Sequence, residues 1–400
     1  MEHSDALVTS PLGVLAVLVF VAAFFFLLQQ RTKAKLFDFL PPLLFIYATP
    51  VFLNNFGVIP SESPVYSGLS AIALPVFIVL MLIKVNVPAV VRVMGKGVLV
   101  MLMGTLGVMV GGVVAYFLVH GALSDDAWRG YGALAGSWIG GTANMAATAE
   151  MLETSKEQFG LAVLADNVIY IVWLPILLLS RDFADRFNRW ARVPADRIAS
   201  MDAAAEMHVE QDQAPTMPQY LFIGGVAIGV TWIATAVAPG IAAALASFSP
   251  SLETAFSTTT VRILLVTTIA LLLSTTPVSR LPNTTALGTA LVYIFVAGMG
   301  ARASIAGLGE APMFVLGAFI WIFIHGLFCL AGAWLFRVDI HSVAIASAAN
   351  VGAAASAPIV AAHHRPNLVP ASILMALLGY AMGNYLAPLT GHAARIVAGQ

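Results

Sequence analysis

The chain has 400 residues, of which 60% are hydrophobic and 10% charged, with a formal net charge of −1. Soluble domains carry about 25% charged residues. So few charges cannot cover a water-exposed surface, which excludes a soluble enzyme, and the near-neutral balance gives no nucleic-acid footprint. The single cysteine, Cys329, lies in an apolar run, which excludes a disulfide framework.

Apolar segments recur along the whole chain. They fall at about 11–29, 37–55, 67–84, 97–120, 131–150 and 158–179, then at about 218–246, 258–275, 286–303, 311–336, 341–361 and 368–391. A spanning helix needs about 20 residues. The run at 11–29 has no Lys or Arg before it, so it reads as a retained span rather than a cleaved signal. These segments predict an all-α polytopic membrane protein with a first repeat over 1–180, a linker over 181–217 and a second repeat over 218–400.

The linker is the only long polar stretch. In RDFADRFNRWAR, Phe183, Phe187 and Trp190 fall at i, i+4 and i+7, with Arg181, Arg186, Arg189 and Arg192 on the other faces. That pattern predicts an amphipathic helix on the membrane surface; a solvated linker helix is the plain alternative.

The halves resemble each other. ALPVFIVL at 73–80 parallels ALVYIFVA at 290–297, and GSWIGGTANMAATAEM at 136–151 parallels IASAANVGAAASAPIV at 345–360. Each small-residue segment holds one Asn, Asn144 or Asn350, and precedes a segment containing a Tyr, Tyr170 or Tyr380. Duplication of this kind is the usual architecture of secondary transporters.

Basic residues discriminate between topologies. If all twelve segments cross, the Lys and Arg residues split ten against nine. If 131–150 and 341–361 instead return to the side they came from, the split becomes fourteen inside against five outside. The second arrangement obeys the positive-inside rule. It gives five crossings per half, two inverted repeats, both termini outside, and a cytoplasmic linker. Non-helical backbone at membrane depth needs protein or a water-filled cavity around it. Gly140-Gly141 suits a break or tip in the first segment, and Gly352 and Pro358 in the second. Close-packed unbroken helices would explain the glycines but not the charge bias.

Ionisable groups inside the membrane cost about 2.5–3.5 kcal/mol at a helix centre on insertion scales. Asp166 is the deepest, within AVLADNVIYIVW, and Asn167 follows it. Their oxygens suit a hard cation such as sodium, and a buried Asp can also carry a proton. Lys84, Arg302 and Glu150 sit near segment ends, Glu150 being the best placed of the three. His325 reads as hydrogen-bonded to a neighbouring helix, His363 and His364 as solvated loop residues, and Gly107 with Gly111 as a helix-packing motif. No HExxH, GxSxG, P-loop or GxGxxG occurs, so neither an enzyme nor an ATP-driven pump is expected.

GSWIGGTANMAA, then LADN, then ANVGAAASAP together resemble the DUF819 family of integral membrane proteins, over about residues 10–390. That resemblance implies a place beside the cation:proton antiporter and anion transporter superfamily, which includes sodium/proton exchangers, bile-acid sodium symporters and sodium/glutamate symporters. It implies inverted five- or six-helix repeats with interrupted segments crossing near the bilayer centre. Asp166-Asn167 is similar to the Asn-Asp pair of the exchangers, in reversed order.

The function expected is secondary transport of a small organic anion, an amino acid, carboxylate or small peptide-like solute, coupled to sodium or protons in a bacterial cytoplasmic membrane. A sodium/proton antiporter is the alternative within transport, and a membrane-embedded enzyme or structural membrane protein the alternative of another class. Ser137, Thr142, Asn144, Ser347, Asn350 and Ser356 are the expected substrate residues, and Asp166 with Asn167 the sodium or proton site. No cofactor beyond a sodium ion is called for. Expected partners are the small-molecule substrate, the lipid bilayer and a second copy in a homodimer, with no nucleic acid.

The charge bias yields one direct expectation. Single cysteines replacing Arg186 or Arg192 in a Cys329-free background should resist impermeant thiol reagents added to intact cells. Labelling from outside would overturn the inverted arrangement.

Overall fold

A computed structural model describes residues 6–32, 37, 42–194, 215–249, 252–253, 256–303 and 309–400. Every regular element among them is helical. The first half contains α1 (Pro11–Thr32), α2 (Pro42–Asn55), α3 (Pro64–Leu82), α4 (Val87–Met94), α5 (Gly97–Val119), α6 (Ala127–Gly140), α7 (Thr142–Met151) and α8 (Lys156–Leu179). A short α9 (Ala184–Trp190) follows. The second half contains α10 (Met217–Phe248), α11 (Thr258–Ser274), α12 (Thr284–Arg302), α13 (Ala311–Phe336), α14 (Ile340–Asn350), α15 (Ala353–His364) and α16 (Val369–Val397).

Eight helices among the described residues are long and apolar enough to cross a membrane: α1, α3, α5, α8, α10, α12, α13 and α16. The 17-residue α11 is also apolar but shorter. Helix starts carry the expected chemistry. The Ser155 hydroxyl accepts the Gln158 N–H, the Asp339 carboxylate accepts the Ser342 N–H, and Thr216 with Gln219 forms a capping box.

Helices α1, α2, α3, α10, α11 and α12 pack largely on one another, while α5, α6, α7, α8, α13, α14, α15 and α16 form the rest of the core. Small residues set the second group's geometry. On α5, a methyl at Gly107 would lie 2.6 Å from Phe328 Cβ, and one at Gly111 2.6 Å from Trp321 Cδ1. The α5–α13 backbones therefore approach more closely than any side chain would allow, as the Gly107/Gly111 pattern predicts. Trp321 seals the contact by donating its indole N–H to the Val108 carbonyl at 2.6 Å.

The two small-residue segments each fold back on themselves. In the first, a methyl at Gly136 would lie 2.7 Å from the Asn144 carbonyl oxygen, and Gly132 faces Leu152. At its base, Arg129 donates to the Glu153 carbonyl at 2.8 Å. In a continuous helix Arg129 and Glu153 would be about 36 Å apart at 1.5 Å per residue. α6 and α7 are thus the antiparallel arms of a hairpin with its tip at Gly141. α14 and α15 do the same: Ser356 donates to the Ala348 carbonyl at 2.8 Å, and the His341 and His364 Nδ1 atoms lie 3.1 Å apart.

The bases of these hairpins sit on opposite faces of the protein. α8 begins at the base of the first, right after Glu153 and Thr154, and ends at the base of the second, where Leu177 O meets His364 Nε2 at 2.9 Å. α16 runs the other way, from beside His364 back to Trp128, whose ring lies 5.3 Å from that of His392.

Two expectations need correction here. The linker helix is shorter than the aromatic spacing suggests: Phe183 lies in a 3-10 turn, α9 covers only Ala184–Trp190, and residues 195–214 lie outside the described set. It is anchored through Asn188, whose side-chain oxygen accepts the Ile340 N–H, with Phe187 packed against the core. Pro358 does not mark the second break. It sits inside α15, six residues past Gly352, because the positive φ of Gly352 (93°) already reverses the chain.

Gly136→Val should collapse the first hairpin, since its branched side chain meets Asn144 and Met145 backbone. Overpacking costs about 1–3 kcal/mol, measurable as a lowered melting temperature and reduced recovery of folded protein.

Candidate functional site

The hairpin tips meet. A methyl at Gly141, where φ is 79°, would lie 2.8 Å from the Ala353 Cβ. The tyrosine of each half reaches the tip of the opposite hairpin. Tyr380 Cε1 is 3.3 Å from the Gly141 methyl position, and Tyr170 Cε2 is 3.5 Å from that of Gly352.

Two asparagines secure these breaks. The Asn144 amide donates to the Tyr380 carbonyl at 3.0 Å, and the Asn350 amide donates to the Met101 carbonyl at 3.1 Å. The Asn350 side-chain oxygen also lies 3.3 Å from the Thr105 hydroxyl. Ser356 donates to Ala348 and Val351 carbonyls, both 2.8 Å away, which caps the broken end of α14. Three predicted substrate residues therefore hold the shape of the tips through their own side chains. Thr142 is half-buried in the first turn of α7.

Asp166 lies halfway along α8, beside the first tip. The Ser137 hydroxyl donates to one carboxylate oxygen at 3.0 Å and the Trp138 indole N–H to the other at 2.9 Å. Both donors are neutral and sit one turn before Gly141. Trp138 is itself packed against Trp321, with ring centroids 4.8 Å apart. Asn167 faces elsewhere: its amide donates to the Val163 carbonyl one turn back on α8. Consecutive helical residues diverge by about 100°, which is why the sequence neighbours do not converge.

Ser347 sits in a buried relay. Trp173 Nε1–H donates to its hydroxyl oxygen at 3.0 Å, and Ser347 lies 2.9 Å from His325 Nε2. His325 Nδ1 lies 2.9 Å from the Gly104 carbonyl, which can only accept. The proton therefore resides on Nδ1, and Ser347 donates to Nε2. His325 is helix-bound, as its lone position predicts.

His364 departs from its sequence reading. It is buried at the end of α15, with Nε2 against Leu177 O, while its neighbour His363 is exposed. Helix α15 extends to residue 364 and docks on α8 instead of giving way to a loop.

Another charged region lies at the base of the first hairpin. Glu150, Lys156, Arg262 and Arg302 line a chamber of about 470 Å³ there. The Ser70 hydroxyl donates to Glu150 at 2.8 Å. Lys84 lies two residues beyond the end of α3 and does not line this chamber.

Residues 16–397 match the family described as "Protein of unknown function (DUF819)". The chain belongs to the DUF819 family. It is also 27% identical over 351 residues to the uncharacterized membrane protein YjcL of Bacillus subtilis (strain 168), covering 85% of this chain and 86% of that one. Both hairpins lie within residues 16–397, the span that matches the DUF819 family. The helices and the relative agree on a multi-pass membrane protein.

Sequence reading did not identify Trp138, Trp173 or Ser70 as site residues of this DUF819 protein. The GSW string places Trp138 next to Ser137, but its partner Asp166 is 28 residues away and only the fold joins them.

Ser347→Ala leaves the Trp173 indole N–H without a partner and leaves His325 Nε2 only the Cys329 Sγ at 3.6 Å. An unsatisfied buried group costs about 1–3 kcal/mol. The variant should melt earlier than wild type, and Ser347→Thr, which keeps the hydroxyl, should melt closer to it.

Proposed function

We propose that this protein is a secondary active transporter of a small organic anion, coupled to sodium or protons by alternating access. The observation that carries the reading is the pair of helical hairpins that start on opposite faces and touch at Gly141 and Ala353. Each arm has 10 to 14 residues, about 15–21 Å, or roughly half the hydrocarbon core. A solute at the tips would be half a membrane from either side. Small shifts of one helix group against the other would then open one path and close the other.

The order of elements supports inverted repeats. In each half three helices precede a long helix, a hairpin and a final long helix, with the eight-residue α4 as an extra helix of the first half. The equivalent helices α5 and α13 run antiparallel, since Gly104 faces Cys329 while Gly111 faces Trp321. The positive-inside rule then places the linker and the second hairpin's base in the cytoplasm.

The tips suit an anion. α7 and α15 both begin there, so their first N–H groups and positive dipole ends point to the centre. Thr142 adds a hydroxyl to this end of α7. The Asp166 carboxylate, with the Ser137 hydroxyl beside it, supplies hard oxygen ligands for sodium or a site for a proton. The partners of Asp166 are neutral donors, which leaves its charge for a cation to balance. The same feature favours a second reading, a sodium/proton antiporter, in which Asp166 exchanges the two ions and no organic solute moves.

Sodium should raise the melting temperature of the purified protein. At 100 times its Kd it would contribute about 2.7 kcal/mol. Asp166→Ala should abolish this sodium effect and all coupled uptake in proteoliposomes while remaining folded. Full sodium stabilisation in the variant would refute the assignment. Sodium/proton exchange without any solute would favour the antiporter.

A further inference from the structure

We propose that the chamber at the base of the first hairpin is a binding site for a small carboxylate solute, with Arg262 as the residue that takes the carboxylate. It rests on the transporter reading for its purpose, as the vestibule from which the solute reaches the tips. The site itself is argued from its own residues.

The chamber lies where the two helix groups meet. Its walls come from residues 61–63 and the α3 helix that follows them, the end of α7, the start of α8, and helices α11 and α12. A second cavity of about 300 Å³ shares Glu150, Lys156, Thr259 and Arg302 with it. Together they are large enough for a solute the size of an amino acid or a dicarboxylate. Lys156, Arg262 and Arg302 bring three positive charges, against Glu62 and Glu150. The Glu150 carboxylate is engaged by the Ser70 hydroxyl at 2.8 Å.

Arg262 is under-coordinated for its position. Its guanidinium has five N–H donors. Nη2 reaches the Ser70 carbonyl at 3.4 Å, a long bond, and Nε is buried with no partner. A planar fork with donors to spare, on the wall of a polar chamber, matches the two oxygens of a carboxylate.

The local backbone is shaped around this residue. Leu69–Ala73 is a π-helical turn within α3, in which the Leu74 N–H reaches back five residues to the Leu69 carbonyl. Such single turns inside α-helices occur frequently at functional sites. Here the turn carries Ser70, whose hydroxyl serves Glu150 on the hairpin and whose carbonyl serves Arg262 on α11. Glu62 and Glu150 on the same walls offer an ammonium group of the solute a partner, a group that phosphate lacks.

The test uses the full-length protein in detergent, with succinate, L-glutamate and inorganic phosphate as probes and melting temperature against concentration as the readout. At least one of the two carboxylates should stabilise the wild type, and phosphate should not. Arg262→Gln should weaken that stabilisation at least tenfold while leaving the sodium effect at Asp166 intact. Arg262→Lys, which keeps the charge but loses the fork, should fall between the two and serves if the Gln variant does not fold. Wild-type affinity in either variant, or no stabilisation by either carboxylate, would overturn the proposal. Carboxylate binding that depends on Arg262 without any sodium effect or uptake would keep this site and reject the transporter. Coupled uptake that is indifferent to Arg262 would do the reverse.

Discussion

Two asparagine amides hold broken helix ends in the middle of the protein, and the remaining architecture follows from that need. At membrane depth there is no water to satisfy freed backbone groups, and each unsatisfied one costs several kcal/mol. Ser356 meets part of that requirement by donating to the Ala348 and Val351 carbonyls, while Asn144 and Asn350 tie the hairpin arms to carbonyls of α16 and α5, helices that pass alongside the tips. Those helices must come very close for so short a side chain to reach. Gly379 faces the Ile139 carbonyl and Gly383 faces Asn144 for this reason, and Gly104 faces Asn350. The small residues are a condition for the hydrogen bonds, and the hydrogen bonds are a condition for the hairpins.

The hairpins in turn place Asp166. A carboxylate at this depth is tolerated because Ser137 and Trp138, both on the arm just before the tip, donate to it. Trp138 is fixed by Trp321, and Tyr131 stacks on the other side of Trp321 at 5.5 Å. One aromatic stack therefore links the broken helix, the antiparallel α5–α13 pair and the acidic group. Movement of the first hairpin would break these two hydrogen bonds, which is the kind of coupling that the proposed ion-driven transport needs.

Much of this was legible in the sequence, for definite reasons. The folded-back segments showed themselves because basic residues divide fourteen to five only if they return to the side they came from, and because glycine and alanine crowd into them. The Gly107/Gly111 packing face and the helix-bound His325 could be read from local spacing. What depends on distant contacts could not. Asn167 looks like a partner of Asp166 in a string of letters, but a helix turns it to Val163. His364 looks like part of a polar loop, yet the last turn of α15 buries it against α8. Arg262 carries no motif at all, and its chamber draws on five helices and the segment before α3, from Ser61 to Arg302.

The central claim is that the two hairpins start on opposite faces and meet between them. Glu153 and His363 are exposed residues at the two bases. In a Cys329-free protein, Glu153→Cys and His363→Cys can each be exposed to a membrane-impermeant thiol reagent, first on intact cells and then on inside-out vesicles. The account predicts that Glu153→Cys is labelled only on cells and His363→Cys only on the vesicles. Labelling of both from the same side would contradict it.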